Sequence, residues 1–240
     1  MEQFATWEDF WKNYRTKEVE SEDDLYFQVG RTIQKKPISK DLLDALIQNI
    51  IKTLALTPTD TLVELCCGNG LCTYELHDHA EQIIAVDFAP HLIETAKQYK
   101  QAQNIDYRLA SVFDFLDSFC DEWKITPHKF LMNDAIANFS TADLEKILRQ
   151  IAKISGGTFV ALFTGAPNDE LKWNFYDTEE RKELYKENVA KGDFMNHGIG
   201  RWWNPQDIKD ACDRLGLGCA IKNQELPFSN YRMDILIKSK

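Results

Sequence analysis

The chain has 240 residues, of which 44% are hydrophobic, and its formal net charge at pH 7 is −10. This length and apolar content suit one domain with an elaborated end, or a small α/β domain with a lid. The acidic balance disfavours a protein that wraps a phosphate backbone, because such proteins need a dense Lys and Arg surface. No apolar run approaches the roughly 20 residues of a membrane span, so we expect no membrane segment.

Targeting and metal-binding signals are weak in this sequence. The N-terminus has no basic start followed by an apolar stretch, so we expect a cytoplasmic protein without a secretory signal. The six cysteines form no Cys-x-x-Cys pair, and we expect them to be reduced. We expect no metal site, because His77-Asp78-His79 lacks a third ligand and suits a solvated helix end.

Helical spacing of apolar residues predicts an N-terminal helix over residues 4–14 and a second over residues 39–53, with Ser39 as its cap. Short apolar runs then alternate with helical patterns, which predicts a mostly parallel sheet covered on both faces. The predicted strands span residues 61–65, 82–86, 105–109, 129–132, 158–164, 218–224 and 231–237. The later predicted helices start near residue 71 and span residues 90–100, 141–154, 178–191 and 204–215.

We divide the chain into an N-terminal helical cap, residues 1–57, and an α/β domain, residues 58–240. The alternation of strands and helices lapses over residues 165–203, which we interpret as a lid over a ligand site. Aromatic side chains with few polar groups are typical of a small-molecule pocket, and also of ordinary packing between a lid and its domain. The residues concerned are Trp173, Phe175, Tyr176, Phe194, His197, Arg201, Trp202 and Trp203.

The strongest motif is the run from Glu64 to Gly70, Glu-Leu-Cys-Cys-Gly-Asn-Gly, between a predicted strand and a predicted helix. Gly68 and Gly70 allow a tight turn and a close approach of the backbone to a ligand. The helix behind them starts with unpaired N–H groups. A second acid, Asp87, ends the next predicted strand, where a carboxylate can accept both ribose hydroxyls of an adenosine.

Two cofactor classes share this arrangement. A dinucleotide motif needs a third glycine where Thr73 stands, and its anionic pyrophosphate would be repelled by Glu64. A carboxylate at Glu64 instead suits a ligand that carries an ammonium and a sulfonium group. On charge, the motif therefore favours S-adenosylmethionine over a dinucleotide.

The Glu64 motif resembles the first motif of class I S-adenosylmethionine-dependent methyltransferases, and residues 85–90 (Ala-Val-Asp-Phe-Ala-Pro) resemble their second. The order of predicted elements is similar to this family's from about residue 40 to residue 240. The resemblance implies an α/β fold with a doubly wound, seven-stranded, mostly parallel sheet whose last strand is antiparallel. It also implies that Glu64 anchors the amino-acid end of the cofactor and that Asp87 holds the ribose.

One position departs from this family's pattern. The family often has an acidic residue after the third strand to meet the adenine amino group, and Ser111 stands there. We expect Ser111 or the Val112 backbone to take that role, with Asp114 as the alternative. Gln28 and Arg31, between the N-terminal helices, contact the cofactor carboxylate or the acceptor in one interpretation and form a solvated connector in the other. The predicted cofactor-binding residues are Glu64, Cys66, Gly68, Asn69, Gly70, Asp87, Phe88, Ser111, Val112, Asn133, Gln28 and Arg31.

Methyl transfer from a sulfonium is an in-line displacement that needs alignment and a dry pocket. A hydroxyl acceptor also benefits from a general base. Asp134, after the fourth strand, and His197, in the lid, are the candidate catalytic residues. The alternatives are that Asp134 caps a turn, that it joins Asn133 in a metal site like that of catechol-type methyltransferases, and that His197 is an ordinary surface histidine.

The acceptor class is the most open question. The segment after strand four lacks the Asn-Pro-Pro-aromatic signature of DNA and RNA amino-methylating enzymes, which further disfavours nucleic acid. Residues 28–32, the Glu64 motif and residues 173–176 together resemble bacterial methyltransferases of surface-glycan and secondary-metabolite pathways. This resemblance implies O-methylation of a small molecule, with S-adenosylhomocysteine as the product. The alternatives are a protein methyltransferase and a non-catalytic S-adenosylmethionine-binding protein, and the oligomeric state stays open.

Overall fold

A seven-stranded sheet forms the centre of the molecule, whose computed structural model describes residues 6–15, 18–190 and 199–240. Its strands are β3 (Thr61–Leu65), β4 (Gln82–Asp87), β5 (Ile105–Leu109), β6 (Lys129–Asn133), β7 (Val160–Pro167), β8 (Leu217–Asn223) and β9 (Arg232–Ser239). A separate two-stranded hairpin precedes them, made of β1 (Thr32–Ile33) and β2 (Lys36–Pro37).

Helices cover the sheet and extend from its ends. They are α1 (Trp7–Asn13), α2 (Glu22–Gln28), α3 (Lys40–Leu54), α4 (Leu71–Glu75), α5 (Pro90–Tyr99), α6 (Val112–Glu122), α7 (Thr141–Ile154), α8 (Lys172–Phe175), α9 (Glu179–Ala190) and α10 (Pro205–Arg214). Within the described ranges, none of them combines the length and the apolar composition that a membrane-spanning helix needs.

The strand order is β5-β4-β3-β6-β7-β9-β8. Neighbours from β5 to β7 pair in parallel, whereas β9 pairs antiparallel with both β7 and β8. The final strand therefore inserts in reverse between two strands that precede it in the sequence. This confirms the predicted doubly wound, mostly parallel sheet with a reversed last strand.

The central strands β3, β4, β6 and β7 are buried on both faces, which explains why they are almost continuously apolar. Along β3, Val63 and Leu65 point into one apolar cluster with α6, α7 and α10. Leu62 points to the opposite side, into a cluster that contains α3, α4 and α5. Glu64 has the same parity as Leu62 along this strand, so its carboxyl group lies under that second layer of helices.

Helix α3 packs directly on the sheet. Its buried face shares a cluster with Leu131 of β6 and Leu162 of β7. Ser39 caps this helix, since its hydroxyl accepts a hydrogen bond from the Leu42 N–H. The division of the chain at residue 57 stays a prediction, and α3 would belong to the cap by sequence and to the sheet by packing.

Three of the described helices were not predicted: α2, α6 and the four-residue α8. In α6, Val112, Phe115, Leu116 and Phe119 are buried at helical spacing. That pattern was present in the sequence, but it lies in an aromatic stretch between two strands. In α2, only seven residues are helical, and three acidic residues fill its first turn. Tertiary contacts of its buried Leu25 and Tyr26 hold so short a helix in place.

Replacing Gly70 by alanine should destabilise the fold. Gly70 has a left-handed backbone (φ +75°), and a Cβ there would overlap the Tyr107 hydroxyl and lie 2.9 Å from Tyr107 Cζ. We expect a loss of about 2–4 kcal/mol in the free energy of unfolding, from overpacking and backbone strain together. Chemical denaturation measures it. Gly157→Ala is the matched control, because Gly157 has φ +86° with no heavy atom within 4 Å of the added Cβ. Equal losses at both glycines would contradict the clash.

Candidate active site

A cavity of about 240 Å³ opens at the carboxyl ends of β3 and β6. From β3 the chain builds the sheet in one direction through β4 and β5, and then returns to β6 on the other side of β3. In doubly wound sheets, this switch in direction leaves a crevice in which ligands bind. The fold therefore places the cavity where the two sequence motifs end.

The structure brings most of the predicted site residues together around this cavity. Those that line it are Arg31, Glu64, Cys66, Gly68, Asn69, Asp87, Phe88, Ser111, Val112, Asn133 and Asp134. Gln28 and Gly70 do not line it. His197 lies outside the described residues, so its role as a base stays a prediction.

The carboxyl group of Glu64 is buried, and its hydrogen-bonding capacity is not fully used. Its Oε2 atom has no hydrogen-bond partner among the described residues. Burial raises the pKa of Glu64 to about 7, although the Thr73 hydroxyl and the charge of Arg31 partly counter this rise. A cation placed in the cavity would supply the missing partner.

Asp87 closes the turn between the two motifs. Its Oδ2 accepts the Gly68 N–H at 3.0 Å, and its Oδ1 accepts the Ala89 N–H at 2.9 Å. Burial raises the pKa of Asp87, while these N–H groups oppose the rise. Each oxygen still has acceptor capacity toward the cavity, since a carboxylate oxygen can accept more than one hydrogen bond.

Asn69 joins the motif to the N-terminal segment. Its side-chain amide donates to the Leu25 carbonyl at 2.8 Å and to Gln28 Oε1 at 3.0 Å, and its Oδ1 accepts the Leu71 N–H. This corrects the position expected for Gln28. Its side chain is buried behind the cavity wall, where it holds Asn69 instead of facing a ligand.

Gly70 likewise serves packing. It begins α4 with a left-handed backbone and faces Tyr107, whose hydroxyl donates to the Lys100 carbonyl at 2.7 Å. The requirement for glycine at this position therefore comes from α5 and β5, not from a ligand in the cavity.

The far end of the cavity is apolar and aromatic. Phe88, Val112 and Phe113 line it, and Ser111 caps α6 by accepting the Asp114 N–H at 3.1 Å. The Ser111 hydroxyl in turn donates to the Asp114 carboxylate at 2.8 Å, and Asp114 does not line the cavity. Both side chains are thus occupied by the cap. The backbone N–H of Val112, in the first turn of the helix, has no partner within its helix.

Asp134 is the centre of an ion-pair network. Its Oδ2 contacts Arg31 Nη1, and its Oδ1 accepts from Arg232 Nη1 at 3.1 Å. Arg232 Nη1 also donates to the Gly165 carbonyl at 2.7 Å. Arg232 was not among the predicted site residues, because it lies almost a hundred residues further along the chain. A carboxylate shared by two guanidinium groups is anchored more firmly than a turn cap requires.

Two non-glycine residues beside the cavity have left-handed backbone conformations. Cys66 (φ 59°) follows β3, and Asp134 (φ 57°) follows β6. Such conformations cost about 1–2 kcal/mol for residues with a side chain. Strain of this kind tends to occur at functional sites, and here it lies at the strand ends that border the crevice.

The cavity's roof comes from the N-terminus. Trp7 and Trp11 line it from α1, and Phe113 and Phe139 line it from the other side. Helix α1 was not predicted to be part of the site, although the spacing of four residues between Trp7 and Trp11 places them on one helix face.

In its described part, the insertion over residues 165–203 contributes no residue to the lining of the main cavity. None of its described aromatic residues lines the main cavity. Phe175, Tyr176, Tyr185, Trp202 and Tyr231 pack on one another instead, at ring separations of 4.7 to 6.0 Å. Trp203 is fully buried and donates to the Ile136 carbonyl. Phe194 is outside the described residues, and a lid function stays a prediction.

The expected absence of a metal site likewise stays a prediction. In the described part of the chain, no three His, Cys, Asp or Glu side chains come close enough to hold a metal ion.

Glu64→Gln should make the ligand-free protein more stable above neutral pH. The folded-state pKa of Glu64, about 7, exceeds its ordinary value of 4.5. The contribution of Glu64 to the free energy of unfolding is therefore fully present below pH 4.5 and is lost as the pH rises through 7. The amide avoids burying an anion. We expect a gain of about 3 kcal/mol at pH 8 and little change at pH 5, measured by chemical denaturation. A gain that is the same at both pH values would contradict the raised pKa.

Residues 62–155 match a family described as a methyltransferase domain. The chain is 35% identical over 112 residues to 2-phytyl-1,4-naphtoquinone methyltransferase of Nostoc sp. (strain PCC 7120), which covers 43% of this chain and 48% of that protein. It is 24% identical over 119 residues to 23S rRNA (uracil(1939)-C(5))-methyltransferase RlmD of Francisella tularensis subsp. novicida, covering 49% of this chain and 26% of the relative. The chain thus spans between about a quarter and a half of these relatives.

A solved structure extends the likeness over nearly the whole chain. Magnesium protoporphyrin IX methyltransferase (ChlM) from Synechocystis PCC 6803, crystallised with bound S-adenosylhomocysteine, superposes with a TM-score of 0.59. The superposition covers 97% of this chain and 93% of that one at 12% identity, which speaks for the fold alone. The chain therefore carries a match to a methyltransferase domain over residues 62–155, on a fold that it shares with that S-adenosylhomocysteine-bound methyltransferase.

Proposed function

We propose that the protein transfers a methyl group from S-adenosylmethionine to a hydroxyl of a small-molecule acceptor. The observation that carries this proposal is the buried, unpartnered Oε2 of Glu64 at the switch-point cavity. A buried carboxyl oxygen without a partner costs free energy. The ammonium group of the cofactor's methionine end would satisfy it, and a dinucleotide's pyrophosphate would not.

The other lining residues fit the remaining parts of the same cofactor. Arg31, at the Glu64 end, suits the methionine carboxylate. Asp87 has acceptor capacity left on both oxygens for the ribose hydroxyls. Phe88 and Phe113 suit the flat faces of adenine, and the Val112 N–H is the better donor to its ring because the Ser111 side chain is occupied by Asp114.

When bound, S-adenosylmethionine supplies an electrophilic methyl group on its sulfonium. The protein's part is to align the acceptor and exclude water. Asn133, Asp134, Asn138 and Phe139 line the cavity beyond the β6 end, where an acceptor would lie. Trp7 and Trp11 cover the cavity from above and would keep water out.

We assign the general base to Asp134, with His197 as the second candidate. Asp134 lies on the cavity wall, and its two oxygens already contact Arg31 and Arg232. To take a proton, it would have to exchange one of these contacts for the acceptor hydroxyl. The arginines would then hold its orientation during the reaction, as supporting groups do at other catalytic carboxylates.

Four observations support a small-molecule acceptor over nucleic acid. The net charge of −10 opposes binding to a phosphate backbone. Two named relatives or neighbours carry small molecules in their names, a phytyl-naphthoquinone and magnesium protoporphyrin IX. The match to the rRNA enzyme covers 26% of that protein. The cavity roof formed by α1 also leaves a site of limited size.

Titration calorimetry with S-adenosylmethionine, S-adenosylhomocysteine and NAD tests the cofactor assignment. We expect the first two to bind and NAD to give no heat beyond dilution. Asp87→Ala should weaken both by about 1–3 kcal/mol, since buried ribose donors lose a charged acceptor. Asp78→Ala is the control, because Asp78 is 82% exposed and outside the cavity. Binding of NAD alone would overturn the proposal, and unchanged affinity in the Asp87 variant would remove its ribose role.

Asp134→Asn tests the acceptor side. The amide keeps the shape of the side chain but is a far weaker base, so turnover in a screen of hydroxyl-bearing acceptors should fall by at least about 100-fold. The dissociation constant of S-adenosylhomocysteine should change much less. Full activity in this variant would exclude Asp134 as the base and leave His197 as the candidate.

A further inference from the structure

A second cavity, of about 150 Å³, lies on the other side of the Arg31–Asp134 ion pair. It is enclosed by the β1–β2 hairpin, by α3 and by the segment that leads into β9. Arg31 and Asp134 line both cavities, so a single ion pair separates them. The proposed methyl transfer does not use this second space.

The inner wall of the second cavity is cationic. Arg31, Arg232 and Asp134 are its charged lining residues, so two guanidinium groups share one carboxylate. Asp234 lies nearby in β9 but does not line the cavity. Its carboxylate is held by the Gly165 N–H and by the side-chain amides of Asn49 and Gln224. Among the residues that line this cavity, the two guanidinium groups exceed the one carboxylate by one positive charge, although the charge of Arg31 also acts on Glu64, which lines the first cavity.

The outer wall is apolar. Leu42 and Leu46 of α3 line its side. At its mouth stand Ile33, which is 50% exposed, and Phe228, which is 37% exposed. Large apolar side chains left in water around a cavity entrance mark a surface that a ligand can cover. The cavity thus has a cationic inner end and an apolar entrance.

We propose that this second cavity is a binding site for a carboxylate that carries a short apolar body. The carboxylate would take hydrogen bonds from N–H groups of the two arginines, whose planar forks match its geometry. The apolar body would lie on Leu42 and Leu46 and leave between Ile33 and Phe228. An excess of one positive charge in the lining matches a monoanionic carboxylate better than a dianionic phosphate monoester. The inference does not require the proposed methyl transfer.

Hexanoate is the probe, and hexanamide is its neutral counterpart of nearly equal shape. In nuclear magnetic resonance titrations of the ¹⁵N-labelled full chain, hexanoate should shift the amide signals of Gly30, Thr32 and Gln224. Hexanamide should bind at least about tenfold more weakly, because it lacks the charge that the arginines recognise. Equal affinities, or shifts confined to other regions, would overturn the proposal. Tighter binding of hexyl phosphate than of hexanoate would overturn the choice of a carboxylate.

Two variants give independent readouts. Arg232→Gln should weaken hexanoate binding at least about tenfold and leave hexanamide unchanged. Because Arg232 also holds Asp134, Phe228→Ser serves as a second variant at the exposed mouth, where we expect a loss of about three- to tenfold for both probes. Leu184→Ser, on α9, is its control, because Leu184 is 56% exposed and outside the cavity. Wild-type affinity in the Phe228 variant would contradict the proposed path of the apolar body.

Each titration is run with and without S-adenosylhomocysteine, which separates this inference from the proposed function. Binding of hexanoate without any binding of S-adenosylhomocysteine would overturn the proposed function and support the second site. Binding of S-adenosylhomocysteine without any binding of hexanoate would overturn the second site and support the proposed function.

Discussion

At the carboxyl end of the central strand, the side chain of Glu64 is buried with one oxygen that no described group bonds. Burying an ionised carboxyl group in such a place is unfavourable, and protonation of the group removes this cost. A bound cationic ligand also reduces the cost, because it pairs with the ionised form. The ligand and a proton therefore compete for the same carboxylate. Ligand binding near neutral pH would accordingly release a proton, and the protein would be less stable without a ligand than its core suggests.

The elements around Glu64 keep this arrangement intact. Asn69 bonds the carbonyl of Leu25 and the side chain of Gln28, which fixes α2 against the glycine-containing turn. Arg31, three residues after Gln28, contacts Asp134 beyond β6. The segment before the sheet is therefore joined to both strands that border the crevice. The N-terminal segment and the α/β domain therefore build the site together, wherever the domain boundary is drawn.

The fold was readable from the sequence because its signals are local. The strands of the sheet and helices such as α3 and α7 fall close to their predicted ranges, since burial on both faces gives apolar strands and amphipathic helices. Glu64 and Asp87 were readable because a motif fixes their place at strand ends. Trp11 and Arg232 were not assigned to a site, because they reach it from the two ends of the chain. Gln28 was assigned to the site but does not line the cavity, although it contacts Asn69 of the motif.

The roof of the cavity is a helix of seven residues, α1, in which no residue is fully buried. Its aromatic side chains pack largely on one another, as the ring pairs Trp7–Phe10 and Trp11–Tyr14 show. A segment with so little buried surface detaches at a small fraction of the free energy needed to unfold the domain. Molecules can thus enter and leave while the sheet and its motifs stay intact. The residence time of whatever occupies the cavity would then be set by this short helix, and changes in α1 would alter dissociation rates without altering the chemistry beneath it.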